Sequence, residues 1–166
     1  MKAMKQRVVT GLVCLGVLIV TAGLALFLTM HKKAALSPEM TTYQGLSSSV
    51  NLPLYGTNKP AQYRFQSASS QDGSLVISTY ATDKGVINVS QQPRPASDPY
   101  GERVKAADSY TTSVGDARLF PDEKQNPYVV VQTAKTWVIV RSSNETILSK
   151  DLKDFCLSLQ AVETAK

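Results

Sequence analysis

The sequence predicts an α+β protein: an N-terminal transmembrane helix followed by a mostly antiparallel β-sheet domain covered by a C-terminal helix. Three observations predict it. Val8–Met30 is a run of 23 residues without a charged side chain. Two pairs of short segments rich in β-branched residues follow, each pair separated by a short polar or turn-forming stretch. An amphipathic segment, Ser149–Leu159, comes last, and strands followed by a helix is the order of an α+β domain.

The N-terminal run has the length of a membrane span. At a rise of about 1.5 Å per residue it reaches about 34 Å, against a hydrocarbon core of about 30 Å. A cleavable signal peptide has a shorter apolar region, about 7–15 residues, ending at a small-x-small site. Gly23-Leu24-Ala25 has that form, but Leu26-Phe27-Leu28 continues the run beyond it, so an uncleaved anchor is expected. Cys14 follows Val13 rather than the small residue of a lipoprotein signal, and it reads as a buried membrane thiol. Lys2, Lys5 and Arg7 precede the run, and Lys32 and Lys33 follow it. That margin places tail 1–7 in the cytoplasm and the larger domain outside, with the lipid bilayer as partner through residues 8–30.

Charge excludes one class of partner. Residues 1–33 hold five basic groups and no acidic one, while the remaining 133 residues balance 13 basic against 13 acidic groups. A neutral domain has no electrostatic footprint for nucleic acid, so none is expected.

Residues 31–48 read as a stalk, because 34–48 (AALSPEMTTYQGLSS) is small and polar with Pro38 and Gly45 as breakers. The domain is expected over 49–162, with a tail at 163–166. Asp72-Gly73 marks a turn. Leu75–Tyr80 and Val86–Ser90 form a predicted hairpin around Thr82-Asp83-Lys84-Gly85, whose glycine suits a left-handed position. Tyr128–Thr133 and Thr136–Arg141 form a second, with Ala134-Lys135 between them. The continuous apolar character of 128–131 and 137–140 predicts central strands covered on both faces. Between the hairpins, Gln91–Asp108 contains Pro93, Pro95 and Pro99, which favour an extended loop. Ser149 is the expected cap of the last helix, Asp151 and Asp154 suit the positive end of its dipole, and Leu152, Phe155, Cys156 and Leu159 form one apolar stripe.

Catalytic constellations are missing from this inventory. His31, the only histidine, lies beside the membrane run, so the domain cannot build a Ser-His-Asp triad, a Cys-His pair, a sortase-type site or a histidine-containing zinc site. Cys156 sits on the apolar stripe and reads as a core thiol rather than a nucleophile. Its only possible partner, Cys14, is in the membrane run, so no disulfide is expected. Ser37-Pro38-Glu39-Met40 does not supply the context of a Ser–Lys dyad, and no glycine-rich phosphate loop is present. The expectation is a non-enzyme with no catalytic residue, no cofactor and no metal.

Several segments carry a resemblance. Val50-Asn51-Leu52-Pro53-Leu54-Tyr55 followed by Lys59-Pro60-Ala61-Gln62-Tyr63 resembles the opening of a bacterial single-anchor extracytoplasmic domain of unknown function. Leu75–Tyr80 and Val86–Gln91 resemble its next two strands, and Trp137–Val140 with Ser149–Leu159 its closing hairpin and helix. The likeness covers about 50–160 and departs at Tyr55-Gly56, where the next proline is further away. It implies a curved antiparallel sheet with a helix, distantly like the lipoprotein-carrier and anti-sigma-regulator fold, which binds acyl chains or peptides on its concave side. It assigns no binding residue here.

The functional expectation is a membrane-anchored extracytoplasmic binding or assembly module with a protein partner in the cell envelope. Arg94, Tyr100, Tyr110 and Phe120 are the candidate contact residues, as aromatic or arginine side chains placed on loops. One alternative is a lipid or lipoprotein-acyl binding domain. A second is a minor pilin or secretion-machine subunit, although a pilin helix carries a glutamate near its start and the first acid here is Glu39.

Overall fold

The computed structural model describes residues 37–98, 108–120 and 126–162, and the expected anchor 8–30 lies outside them. Among the described residues no helix is long and apolar enough to cross a membrane. Nine strands are described: β1 (Tyr55–Thr57), β2 (Arg64–Gln71), β3 (Leu75–Ala81), β4 (Val86–Pro93), β5 (Asp108–Thr111), β6 (Asp116–Phe120), β7 (Tyr128–Gln132), β8 (Thr136–Ser142) and β9 (Leu159–Ala161). Two helices accompany them, α1 (Pro38–Ser47) and α2 (Ser149–Leu157).

Seven strands form one antiparallel sheet in the order β2-β3-β4-β8-β7-β6-β5, and β1 pairs with β9 in a separate two-stranded ribbon. The sheet is two meanders joined where β4 meets β8, with Val89 opposite Val140. Local chemistry sets the turns. Asp72 and Gly73 both have positive φ, 50° and 64°, the geometry of a tight hairpin whose twist matches its strands. At the next turn the Thr82 hydroxyl accepts the amides of Lys84 and Gly85.

Alternation then decides the faces. Val76, Ser78 and Tyr80 on β3, Ile87, Val89 and Gln91 on β4, Val138 and Val140 on β8, and Val129 and Val131 on β7 are buried on the inner face. Both helices cover that face. Leu152, Phe155 and Cys156 of α2 pack on it with no exposed surface, and full burial of a leucine or phenylalanine contributes about 1.5–3 kcal/mol. The outer face is also closed at its centre, where Val130 and Trp137 are buried, as the continuous apolar runs predict. Segment 94–98 runs over it, tied by Asp98 to Arg118 at 2.6 Å and by Arg94 Nη1, which donates to the Thr133 carbonyl at 3.2 Å.

The stalk expected over 31–48 is corrected by α1. Ser37 caps this helix, accepting the Met40 amide on its hydroxyl at 3.2 Å, and Pro38 occupies its first turn. A proline there has no amide to lose and a φ already helical, so Pro38 starts the helix instead of breaking the chain. Tyr43 of α1 is fully buried, and the compact unit begins at Ser37 rather than at residue 49. The last helix starts one residue earlier than Ser149 suggested: Leu148 is its N-cap, and its amide donates to the Asp151 carboxylate at 2.9 Å. Leu159, expected as the fourth member of its stripe, is buried in β9.

Candidate functional site

Two features of the fold carry chemistry or surface. The first is the outer edge of the sheet. β2 pairs with β3 on one side and has no strand on the other among the described residues. None of its eight positions is buried. An irregularity between Phe65 and Ser67 sets the register, so that Phe65 and Ala68 face inward and Ser67, Ser69 and Gln71 face outward. The strand reads Arg-Phe-Gln-Ser-Ala-Ser-Ser-Gln, with its only charge at one end and no proline. Edge strands normally carry charges, prolines or short lengths that prevent a further strand from adding. Beyond Arg64 and its initial bulge, this one carries none of them.

The second feature is a buried polar clasp between α1 and the sheet. Glu39, in the first turn of α1, is 2 % exposed. Its Oε1 accepts the Thr57 amide of β1 at 2.8 Å and lies 2.7 Å from the Tyr80 hydroxyl. Its Oε2 has no hydrogen-bond partner. The Tyr80 hydroxyl lies 2.8 Å from that of Tyr43, which donates to Ser78 Oγ at 2.7 Å. Gln91 completes the cluster as a side-chain strand: its Oε1 accepts the Tyr55 amide, its Nε2 donates to the Tyr55 carbonyl, and both contacts are under 3 Å. Burial is the main cause that raises the Glu39 carboxyl above its ordinary value, opposed by the contacts to Tyr80 and Thr57. Burial likewise pushes Tyr43 up to about 12 and Tyr80 well above the phenol range, so both stay neutral.

The candidate contact residues do not meet on one loop. Arg94 follows the end of β4 and is engaged at the Thr133–Lys135 turn, where its amide also donates to the Lys135 carbonyl. Tyr110 lies in edge strand β5, half-buried, with the Lys153 ammonium 4.6 Å from its ring centre. Phe120 ends β6, is 1 % exposed and stacks on Tyr128 at 5.1 Å. Both therefore sit on strands, because the sequence between the hairpins contains β5 and β6 as well as the proline-rich segment. Tyr100 lies outside the described residues.

Cys156 is fully buried, and burial pushes its thiol up to about 12, which suits a packing role. The layer beneath α2 is filled by rings: Phe155 meets Tyr63 at 4.9 Å and Tyr80 at 5.0 Å, both edge to face. A pocket lined by Tyr63, Lys84, Ile87, Ile147 and Asp151 encloses about 30 Å3, the scale of a water molecule rather than an acyl chain.

Glu39 and β2 were not singled out from the sequence. Ser37-Pro38-Glu39 was the available signal for α1, a capping residue followed by proline and an acid. β2 had no such signal, because Ser and Gln carry little strand preference. Comparison with protein-family models, curated proteins and solved structures finds no match for this chain.

Proposed function

We propose that the chain is a membrane-anchored, extracytoplasmic, non-enzymatic assembly module that takes its protein partner at the open β2 edge. The observation that carries this reading is β2 itself: eight residues, no buried position, an unpaired side and one terminal charge. An extended segment of a cell-envelope protein adds there as a further strand. Main-chain hydrogen bonds supply its affinity, and the small, outward-facing Ser67 and Ser69 leave the outer face clear for its side chains. The Val8–Met30 run supports the anchor. With α1 starting at Pro38, only residues 31–36 separate that run from the Ser37 cap.

In-cell photocrosslinking of the full-length protein tests this. A crosslinker at Ser69 is expected to give a discrete protein adduct that a crosslinker at Lys150, exposed on α2, does not give. Lysine at both Ser67 and Gln71 is expected to remove that adduct. Equal yields at 69 and 150, or an adduct indifferent to the two lysines, overturn the reading.

A further inference from the structure

We propose that Glu39 is a proton-operated latch: as the neutral acid it closes α1 onto the sheet, and loss of its proton to solvent opens that contact. Burial without a counter-charge motivates the assignment. Glu39 is 2 % exposed, its Oε1 accepts from the Tyr80 hydroxyl at 2.7 Å and from the Thr57 amide at 2.8 Å, and its Oε2 has no hydrogen-bond partner. A neutral acid tolerates that setting far better than a carboxylate does, because the bare oxygen then carries no charge.

On ionisation the charge has nothing to neutralise it. The groups that face Glu39 are Tyr43 from α1, the Thr57 amide and Gly56 from β1, and Tyr80 from β3. No ion pair reaches it among the described residues. Water has no easy entry on the β1 side, where even a methyl group on Gly56 would come within 2.4 Å of Oε1. A buried carboxylate with one bare oxygen is unstable, and the element able to move is α1, whose remaining hold is the apolar packing of Met40, Tyr43 and Leu46. The latch does not depend on the β2 reading.

Hydrogen exchange on the full-length protein in mild detergent tests the latch. After correction for intrinsic exchange, α1 amides of the wild type are expected to lose protection at least about tenfold relative to α2 amides between about pH 5 and pH 8. Glu39→Gln, which cannot ionise, is expected to hold α1 protection constant over that range. Parallel behaviour of α1 and α2 in the wild type, or the same loss in Glu39→Gln, overturns the proposal. Should the variant fail to fold, the carbon-13 carboxyl shift of Glu39 in the wild type decides. Titration at the ordinary glutamate value overturns the latch, and a carboxylic acid shift persisting above it supports the latch.

Discussion

The ring of Tyr80 meets the ring of Phe155 edge to face at 5.0 Å, with 64° between their planes. That contact joins the two halves of the inner layer. Phe155 belongs to α2, and Tyr80 reaches with its hydroxyl into the clasp that holds α1. Phe155→Ala is expected to cost about 3–5 kcal/mol, because it empties a fully buried ring site between Tyr63 and Tyr80. Tyr80→Phe keeps the ring and costs about 1–3 kcal/mol, by stripping a partner from buried Glu39 and Tyr43. Urea unfolding of both single variants and the double variant measures this. The double is expected to fall short of the sum, since the two rings touch.

Gly56→Ala tests the same clasp from β1. A Cβ at this position would stand 2.4 Å from Glu39 Oε1 and 3.2 Å from the Tyr43 ring, so the Glu39 carboxyl must shift out of the clasp. Overpacking of this kind costs about 1–3 kcal/mol. Gly45→Ala is the control: it lies exposed in α1 with nothing within 4 Å of an added Cβ, and it should raise stability by up to about 1 kcal/mol through helix propensity. Thermal melts that rank these two substitutions in the opposite order would refute the close approach.

How much of this could be read from the chain follows from which residues speak locally. Segments rich in β-branched residues announce β3 and β4, the continuous apolar runs 128–131 and 137–140 announce β7 and β8, and a stripe at Leu152, Phe155 and Cys156 announces α2, so both hairpins and the last helix were recoverable. β2 is made of Ser, Ala and Gln, and becomes a strand through pairing with β3 rather than through its own preference. β1 and β9 are three residues each and lie about 100 positions apart, so their pairing has no local signal at all. The clasp is invisible for the same reason. Glu39, Tyr43, Tyr80 and Gln91 come from three elements, and nothing in their spacing says that they share a buried cluster.

Charge at the β2 edge separates folding from assembly. Ser69 faces outward opposite Ile77 and is exposed. Ser69→Lys is expected to leave stability within about 0.5 kcal/mol, since it disturbs no buried group. With the crosslinker moved to Ser67, the same lysine is expected to abolish adduct formation at this edge, because a charged side chain obstructs strand addition. A loss of stability above 1 kcal/mol, measured by the same urea unfolding, would mean that the edge is not open.

Cys156 provides a probe of global opening. With no exposed surface and its thiol pushed up to about 12 by burial, it is expected to resist alkylation at neutral pH in the native protein. It should react at the rate of a free thiol once urea unfolds the domain. Cys14→Ser in the same chain isolates the signal. Prompt labelling of Cys156 in native conditions would show that α2 opens by itself.

Stability against pH has opposite contributions from two acids. Glu39 has its carboxyl raised by burial in the folded chain, so between its unfolded and folded values the native state holds more protons than the unfolded one. Its contribution to stability is therefore full below the ordinary glutamate value and is lost as pH rises through the raised one, with a slope of at most about 1.4 kcal/mol per pH unit. Asp151 behaves in reverse. The Lys84 ammonium at 2.7 Å and the Leu148 amide hold its carboxyl below the usual value, so its contribution exists above that value and is lost as pH falls through the lowered one. Urea unfolding across pH should accordingly show stability declining on both sides of a mildly acidic maximum. Glu39→Gln is expected to flatten the alkaline side alone, and Asp151→Asn the acid side alone. A wild-type curve that keeps rising from the glutamate range to neutral pH would contradict the raised Glu39 carboxyl directly.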